Sequence, residues 1–265
     1  MTVLAERLAA GRLVLGGVSV DPVTRSEALD RIERLVEAAQ GGAVFTPNVD
    51  HVVIAERDPA FRAAYRDVDV SLADGMPLLW ASWLLGEPLP EKVSGSDLVL
   101  PLAERAARRG WRVYLLGGLP GVAERAAERL RASFPGIDIV GTDAPRVRID
   151  GGEGDETAAA LARARAARAQ LLLVALGAPK QEIWIHRHLD DLRPAVAVGV
   201  GASLDFVAGR LRRAPRWISR VGLEWLWRLA HEPRRLWRRY LLEDPRFVGI
   251  LLRELRARGA RRRST

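Results

Sequence analysis

The chain has 265 residues, of which 48 % are hydrophobic, so it has the material to build a sizeable buried core. It contains no cysteine, which excludes disulfides, thiolate nucleophiles and cysteine metal sites and fits a reducing compartment. The amino terminus lacks a signal-peptide pattern, and no charge-free stretch approaches the length of a membrane span. We therefore expect a cytoplasmic protein.

The net charge of +8 is distributed unevenly along the chain. Residues 206–265 contain 17 Arg and 5 acidic residues, whereas the remainder contains 24 basic and 28 acidic residues. This asymmetry predicts a body at residues 1–205 and an appendage at residues 206–265. A segment of net charge +12 indicates an anionic partner, either a nucleic acid or a phospholipid surface, and its apolar content favours lipid.

From residue 13 to about residue 202, apolar runs of strand length alternate with segments of helical period. This pattern predicts an α/β fold, Rossmann-like, in which a largely parallel sheet is flanked by helices. The capping box Thr24-Arg-Ser-Glu27 predicts a helix that runs to about residue 39, and Asp58-Pro59 predicts another helix start. A further helix is predicted at residues 156–169. The predicted strands are residues 13–20, 43–46, 68–72, 111–116, 137–140, 171–176 and 195–200.

The character of the sequence changes after Gly209, where tryptophans alternate with arginines. Four of the eight tryptophans lie in this region: Trp217, Trp225, Trp227 and Trp237. Pro233 divides it into predicted helices at 217–231 and 234–242, and a basic amphipathic stretch follows at 246–258. We therefore expect a helical appendage.

Polar clusters follow four of the predicted strands. Because ligands of open α/β sheets bind beyond the carboxyl ends of the strands, these clusters are expected to meet along one edge. They are Pro47-Asn48-Val49-Asp50-His51, Ala73-Asp74-Gly75, Gly117-Gly118 and Gly177-Ala-Pro-Lys180-Gln181-Glu182.

Asp74 is a lone carboxylate at a strand end, followed by a glycine that allows close approach of a substrate. It is a candidate proton acceptor, although the same position suits the N-cap of a helix at residues 76–85. Thr46 and Asn48 offer a hydroxyl and an amide for fixing sugar hydroxyls, while an asparagine before a helix is commonly a cap. Both interpretations stay open from the residues alone.

Three other patterns are less specific. Gly117-Gly-Leu-Pro-Gly121 suits either a phosphate at a helix N-terminus or a plain tight turn. Asp67-Val-Asp69 has the spacing of a metal-binding pair but begins a strand, so we expect it at the opposite edge. His186 and His188 diverge on a helix and are better explained as a solvated face.

Seven motifs occur in an order and spacing that resemble the WecG/TagA/CpsF glycosyltransferases over about residues 13–245. Each is modest alone, and together they are a strong signal. They are Thr46-Pro-Asn-Val-Asp-His51, Ala73-Asp-Gly-Met-Pro77, Val93-Ser-Gly-Ser-Asp97, Leu116-Gly-Gly118, Gly177-Ala-Pro-Lys-Gln-Glu182, Gly201-Ala-Ser-Leu-Asp-Phe206, and Arg213-Ala-Pro-Arg-Trp217 through Gly222-Leu-Glu-Trp-Leu226.

The resemblance implies an inverting transferase that needs neither a cofactor nor a metal. It would move a hexose, of the N-acetylmannosamine or glucose type, from a UDP-sugar to an undecaprenyl-diphosphate-linked sugar acceptor during synthesis of a cell-surface polysaccharide or teichoic acid. By this resemblance Asp74 is the catalytic base, and the substrate-binding residues are Thr46, Asn48, Gln181, Lys92, Gly117, Gly118 and Asp205. Lys92 stands where the family pattern has Arg, which keeps the charge and loses the bidentate fork.

The resemblance also places catalytic arginines in the appendage, at Arg228, Arg235 and Arg238. Without a metal, guanidinium groups could neutralise the departing diphosphate. The tryptophans and leucines of the appendage would then enter the headgroup zone of an anionic membrane surface. This implies a peripheral protein on the inner face of the bacterial plasma membrane. Alternatively, the appendage packs on its own domain or on a partner subunit in a homo-oligomer.

Two other functional classes predict features that the chain should then display. A nucleotide-dependent oxidoreductase requires a full glycine fingerprint, which Gly117-Gly118 does not supply. A nucleic-acid-binding module would use the basic appendage alone, and the polar clusters of the body argue against it. We therefore expect UDP-sugar and lipid-linked partners, and no nucleic acid.

Overall fold

The structure, a computed structural model, describes residues 11–148, 154–215, 218 and 222–263. Its strands are β1 (Leu13–Leu15), β2 (Val18–Val20), β3 (Gly42–Phe45), β4 (Val70–Ser71), β5 (Arg112–Gly117), β6 (Asp138–Asp143), β7 (Leu171–Ala175) and β8 (Val196–Gly199). Six of them form a parallel sheet in the order β4-β3-β8-β7-β5-β6. The predicted α/β fold with a parallel sheet is thus confirmed.

The single strand predicted at residues 13–20 is wrong, because two short strands form a separate hairpin there. β1 pairs antiparallel with β2, and Leu13 lies opposite Val20. Gly16 and Gly17 occupy the turn with φ of 57° and 84°. Two successive residues at positive φ are what a two-residue hairpin turn requires, so this Gly-Gly pair was the local signal for the turn.

The helices of the body flank the sheet on both faces. The predicted caps are confirmed: Thr24 accepts a hydrogen bond from the Glu27 amide, and the Asp58 side chain accepts from the amides of Ala60 and Phe61. The helices are α1 (Arg25–Glu37), α2 (Val49–Ala55), α3 (Pro59–Ala64), α4 (Met76–Leu84), α5 (Gly95–Arg109), α6 (Val122–Ser133), α7 (Asp155–Ala166), α8 (Lys180–Arg187), α9 (Leu189–Leu192) and α10 (Ser203–Val207).

The order of the strands creates a crevice at one edge of the sheet. Residues of α2, α3, α4 and α8 belong to the hydrophobic cluster on one face, and residues of α1, α5, α6 and α10 belong to the cluster on the other. The neighbouring strands β3 and β8 are therefore followed by helices on opposite faces. Such a switch point opens the sheet at its carboxyl edge, where ligands of this architecture bind.

The appendage is helical, as predicted, and lies against the body. It comprises α11 (Glu224–His231), α12 (Pro233–Arg238), a π-helical turn (Arg239–Glu243) and α13 (Arg246–Arg263). Phe247 and Ile250 of α13 are buried in the cluster that includes Val52 of α2. Trp217, at which a helix was predicted to begin, lies outside the described residues. No described helix is long and apolar enough to cross a bilayer.

The predicted division after residue 205 falls inside a helix of the body. α10 spans this position, and Leu204 and Ala208 on either side of it are buried in the core. The boundary between the body and the appendage stays a prediction.

Candidate active site

A cavity of about 1220 Å³ lies along the carboxyl edge of the sheet. Loops that follow β3, β4, β5, β7 and β8 all contribute to its lining, together with the appendage. The sequence-predicted site residues that line it are Thr46, Asn48, Asp74, Gly118, Gln181, Asp205 and Arg228. The expected convergence of separate loops at one edge is thus confirmed.

Thr46 and Asn48 are fixed by the end of β3. The Thr46 hydroxyl donates to the carbonyl of Gly199, 3.2 Å away, and so joins the ends of β3 and β8. Asn48 is the N-cap of α2, and its Oδ1 accepts from the Asp50 amide at 3.0 Å. The cap uses Oδ1 only, so the side-chain nitrogen Nδ2 of Asn48 is available to a ligand in the cavity.

Gln181 belongs to a buried polar chain that runs from the cavity into the core. Its Oε1 accepts from the Gly201 amide at 2.9 Å, and its Nε2 donates to Glu182 Oε1 at 2.7 Å. Glu182 is fully buried and its Oε1 lies 3.3 Å from His51 Nε2. Sequence reasoning did not assign Glu182 or His51, although both stand in the motifs that contain Asn48 and Gln181.

Asp74 is not used as a helix cap. The N-cap of α4 is Gly75, with φ of 122°, and no side chain caps this helix. The Asp74 amide donates to the Pro47 carbonyl at 2.7 Å, which holds the residue beside the loop after β3. Within the described residues its carboxylate makes no hydrogen bond, so it remains available to a ligand.

The surroundings of Asp74 raise its pKa from 3.8 to about 6. Burial is the main cause, because it disfavours the charged form, and the negative charge of Glu224 acts in the same direction. Arg228 and Lys92 oppose the shift. A carboxyl with a pKa near the working pH is suited to accept a proton during a reaction.

A second cavity, of about 320 Å³, lies between the body and the appendage. Its lining includes Met76 and Pro77 of α4 on one side and Trp225 and Phe247 of the appendage on the other. Both cavities are bordered by Asn48, Asp74, Arg228 and Arg239. Asp74 therefore stands where the two spaces meet.

Arg228 is held over this boundary by its own helix and by the body. Its Nη2 donates to Glu224 Oε1 at 3.2 Å, and its guanidinium lies 5.6 Å from the centre of the Phe206 ring. The other oxygen of Glu224 lies 3.6 Å from Lys92 Nζ. Lys92 lies 3.7 Å from Asp97 Oδ2 and lines the smaller cavity.

Arg239, which sequence reasoning missed, occupies the site where Arg238 was expected. Arg238 is exposed and lines neither of these two cavities. Arg239 Nη2 donates to Asn48 Oδ1 at 3.0 Å, and its Nε lies 3.2 Å from Asp50 Oδ2. Arg239 follows the buried Leu236 by three residues and so shares its face, whereas a spacing of two turns Arg238 away. The side chain of Arg235 lies outside the described part of the chain.

The Gly117-Gly118 segment is a tight turn at the edge of the cavity. Gly117 has φ of 107°, and a Cβ there would lie 2.6 Å from the carbonyl group of Ala175. Glycine therefore allows the ends of β5 and β7, where Gly117 pairs with Ala175, to approach closely. Gly118 lines the cavity. Asp205 also lines it, and its Oδ1 is paired with Arg210 Nε at 2.6 Å.

Two sets of residues that the sequence analysis did not assign to the site lie away from the cavity. Asp69 Oδ2 accepts from the Ala43 amide at 2.9 Å, which places it at the amino edge of the sheet, as expected. The solvated face predicted for both histidines is wrong for His188, which is buried with its ring 5.1 Å from that of Trp184. His186 is more exposed and lies 3.6 Å from Asp67.

The larger cavity combines one unpaired carboxylate with several cations. Basic side chains in its lining are Arg146, Lys180, Arg210, Arg228 and Arg239. Cations that line a cavity complement an anionic group such as a diphosphate, and a carboxylate of raised pKa accepts a proton from an attacking hydroxyl. The arrangement is therefore equipped for group transfer from a phosphorylated donor to a hydroxyl.

Residues 13–261 match the family described as Glycosyl transferase WecG/TagA/CpsF family. Two similar proteins bear the name N-acetylglucosaminyldiphosphoundecaprenol N-acetyl-beta-D-mannosaminyltransferase. The protein from Bacillus spizizenii is 34 % identical over 82 % of this chain and 81 % of its own length. That from Bacillus subtilis is 30 % identical over 85 % of each chain. The chain belongs to the WecG/TagA/CpsF family and is a glycosyltransferase.

Proposed function

We propose that this protein transfers N-acetylmannosamine from its UDP-sugar to N-acetylglucosamine carried on undecaprenyl diphosphate. The observation that carries the proposal is the position of Asp74 at the boundary of two cavities. The larger cavity has the size and the cations for a nucleotide-sugar, and the smaller one offers an apolar lining to the lipid-linked acceptor. The two Bacillus relatives are named for this acceptor and this sugar.

In the proposed reaction, a hydroxyl of the acceptor sugar attacks the anomeric carbon of the donor. Asp74 takes the hydroxyl proton as the new C–O bond forms. The bond between the anomeric carbon and the diphosphate oxygen breaks, and UDP leaves with the electron pair. A single displacement inverts the anomeric carbon, so an α-linked donor yields the β linkage in the names of the relatives.

The negative charge that develops on the departing UDP is stabilised by side chains of this protein instead of by a metal ion. Arg228 and Arg239 border both cavities, so they lie close to the boundary at which the donor sugar would react. Lys180 and Arg210 extend the positive charge along the larger cavity. Guanidinium groups held in place before the reaction stabilise such a charge without rearrangement of solvent.

The acceptor lipid places this reaction at a membrane. We propose that the appendage contacts the inner face of the plasma membrane, with exposed side chains such as Trp225 and Trp237 in the headgroup zone. The buried Phe247 and Ile250 meanwhile keep the appendage on the body. In this proposal, one face of the appendage contacts the membrane and another face packs on the body.

A donor panel tests the proposed sugar and mechanism. The protein is given lipid-linked N-acetylglucosamine with UDP-N-acetylmannosamine, its uronic acid or UDP-glucose, each with EDTA or with Mg²⁺. We expect transfer from UDP-N-acetylmannosamine at the same rate with either addition, with a β-linked product. Preference for UDP-glucose would contradict the sugar, and loss of activity in EDTA would contradict the metal-independent mechanism.

Replacement of the proposed base tests the chemistry. Asp74→Asn should lower transfer by roughly 10²-fold or more, with UDP binding retained, because the proton acceptor is lost and the cationic cavity is not. Turnover within about tenfold of wild type would remove Asp74 from the mechanism.

The stability of the same variant provides a control for its folding. Because the folded-state pKa of Asp74 is raised above 3.8, its ionisation costs stability that accumulates as the pH rises from 4 to 6. Asp74→Asn should therefore raise the free energy of unfolding at pH 8 by about 1–3 kcal/mol, with little gain at pH 4. Urea denaturation at both pH values measures this difference, and a less stable variant at pH 8 would contradict it.

A further inference from the structure

Large apolar side chains are exposed mainly in two parts of the described chain. Fourteen such side chains are exposed, and eleven of them belong to α4 or to the appendage. Those of α4 are Trp80, Trp83 and Leu84. Those of the appendage are Leu223, Trp225, Leu226, Trp237, Leu241, Leu242, Val248 and Leu252. The appendage was predicted from its sequence to be apolar, but α4 belongs to the body.

The helix α4 contains no charged residue, and its outer face is as apolar as its inner face. Its sequence is MPLLWASWL. Leu78 and Ala81 are buried, whereas Trp83 on the outer side is 74 % exposed. A surface helix of a soluble protein normally turns polar residues outwards. An uninterrupted apolar outer face with two tryptophans therefore marks a surface that contacts something apolar.

The outer face of α4 is continuous with the appendage. Gly222 sits against α4 so closely that a Cβ on it would lie 2.8 Å from the Trp80 ring and 3.1 Å from the Met76 Cβ. Leu223, Trp225 and Leu226 follow at once in the chain and are exposed. The first turn of α4 and Trp225 also line the same small cavity. The two surfaces therefore form one apolar face around the approach to Asp74.

We propose that α4 is a membrane-contacting helix of the body, which enters the headgroup zone of an anionic bilayer through Trp80, Trp83 and Leu84. The inference rests on the proposed function, because a lipid-linked acceptor must reach the small cavity from the bilayer. Tryptophan suits this depth, since its ring is apolar and its N–H can meet headgroups.

The charge around the apolar face favours an anionic bilayer as its partner over a second copy of the chain. The exposed Arg234, Arg238 and Arg246 lie among the exposed tryptophans and leucines of the appendage. The segment from residue 206 carries 17 Arg against 5 acidic residues. Two copies that met through this face would bring like charges together, whereas anionic lipids would neutralise them.

Vesicle flotation tests the inference with a matched pair of variants. Trp83→Ser removes the most exposed residue of α4, and Leu100→Ser removes a 47 % exposed apolar residue from α5 on the other face of the body. The vesicles contain phosphatidylglycerol and phosphatidylcholine, with phosphatidylcholine alone as the uncharged reference. We expect Trp83→Ser to weaken binding to the anionic vesicles by roughly tenfold, and Leu100→Ser to bind like wild type.

A second measurement separates this inference from the proposed function. With a water-soluble, short-chain version of the acceptor, Trp83→Ser should transfer sugar as fast as wild type, whereas with acceptor in vesicles it should be slower. No transfer by wild type to the soluble acceptor would contradict the proposed function only. Wild-type vesicle binding by Trp83→Ser would overturn the role of α4, as would a change from dimer to monomer in light scattering without a change in vesicle binding.

Discussion

Asp74 combines two properties that a proton acceptor needs, an unpaired carboxylate and surroundings that hold its pKa near 6. Charged groups act on it from two segments: Glu224 and Arg228 from α11, and Lys92 and Asp97 from the segment that begins α5. Two of these four belong to the appendage. The protonation of a body residue is therefore controlled partly by a segment that follows it by about 150 residues.

Glu224→Gln tests this control. Because the negative charge of Glu224 raises the pKa of Asp74, its removal should let Asp74 ionise at lower pH. We expect the acid limb of the pH profile of kcat/KM to move to lower pH. Glu243→Gln, which removes the same charge elsewhere in the appendage, is the control and should leave the limb in place. An unchanged or raised limb in Glu224→Gln would contradict the prediction.

At the residue scale, the sequence was most informative where a motif and a strand end coincide. Asp74, Asn48 and Gln181 could be placed together because parallel strands end at one edge. Arg239 could not, because its place depends on which face of α12 and of the π-helical turn packs on the body. Neighbouring arginines are equivalent until Leu236 is known to be buried. A difference of one residue on a helix turns the side chain to another face, and for this reason Arg238 is exposed while Arg239 lies in the site.

At the scale of elements, Gly117 and Gly121 meet different structural demands. Gly117 and Gly121 both have positive φ, at 107° and 83°. A side chain on Gly117 would meet the Ala175 backbone, whereas nothing lies within 4 Å of one on Gly121. A side chain at Gly121 would therefore cause backbone strain only, whereas one at Gly117 would cause backbone strain and a steric clash.

Replacement of each glycine by alanine measures the two contributions. Gly121→Ala should lower the free energy of unfolding by about 1 kcal/mol, from backbone strain alone. Gly117→Ala should lower it by about 2–4 kcal/mol, since the ends of β5 and β7 must also move apart. Urea denaturation measures both losses, and equal losses would show that the close approach costs nothing.

Elements with local signals could be predicted, and elements decided by distant contacts could not. The capping box at Thr24 and the proline after Asp58 fixed their helices because these caps need only neighbouring residues. The hairpin of β1 and β2 is an exception, because its turn had a local signal in Gly16-Gly17 and residues 13–20 were nevertheless predicted as one strand. The exposure of α4 could not be read at all, because an apolar helix ordinarily lies in the core.

At the scale of the whole molecule, the appendage completes a site that the body begins. Arg228, Arg239 and Tyr240 close the small cavity, and Phe247 and Ile250 anchor them through the core. The charge asymmetry predicted a separate appendage, but it could not predict this anchoring. The distribution of charge shows only that the segment is basic. Whether the segment is anchored depends on two apolar side chains within a largely basic helix, and the charge does not reveal them.

Truncation separates the contribution of the appendage from that of the body. A chain that ends at residue 215 keeps the whole sheet and α10, and it should fold while losing transfer activity by roughly 10²-fold or more, because two cations leave the site. A chain that ends at residue 258 keeps Arg228, Arg239 and the contact of Arg258 with Glu87, and it should stay active. Circular dichroism and the transfer assay check both chains. Full activity of the shorter chain would contradict a role of the appendage in the site.

The π-helical turn at Arg239–Glu243 contains one residue more than an α-helical turn would. The Asp244 amide bonds to the carbonyl of Arg239, five residues back instead of four. The path from α12 to Phe247 and Ile250 is therefore fitted to a chain that is one residue longer than ordinary winding needs. The length of this turn is thus fixed more narrowly than the identity of its residues.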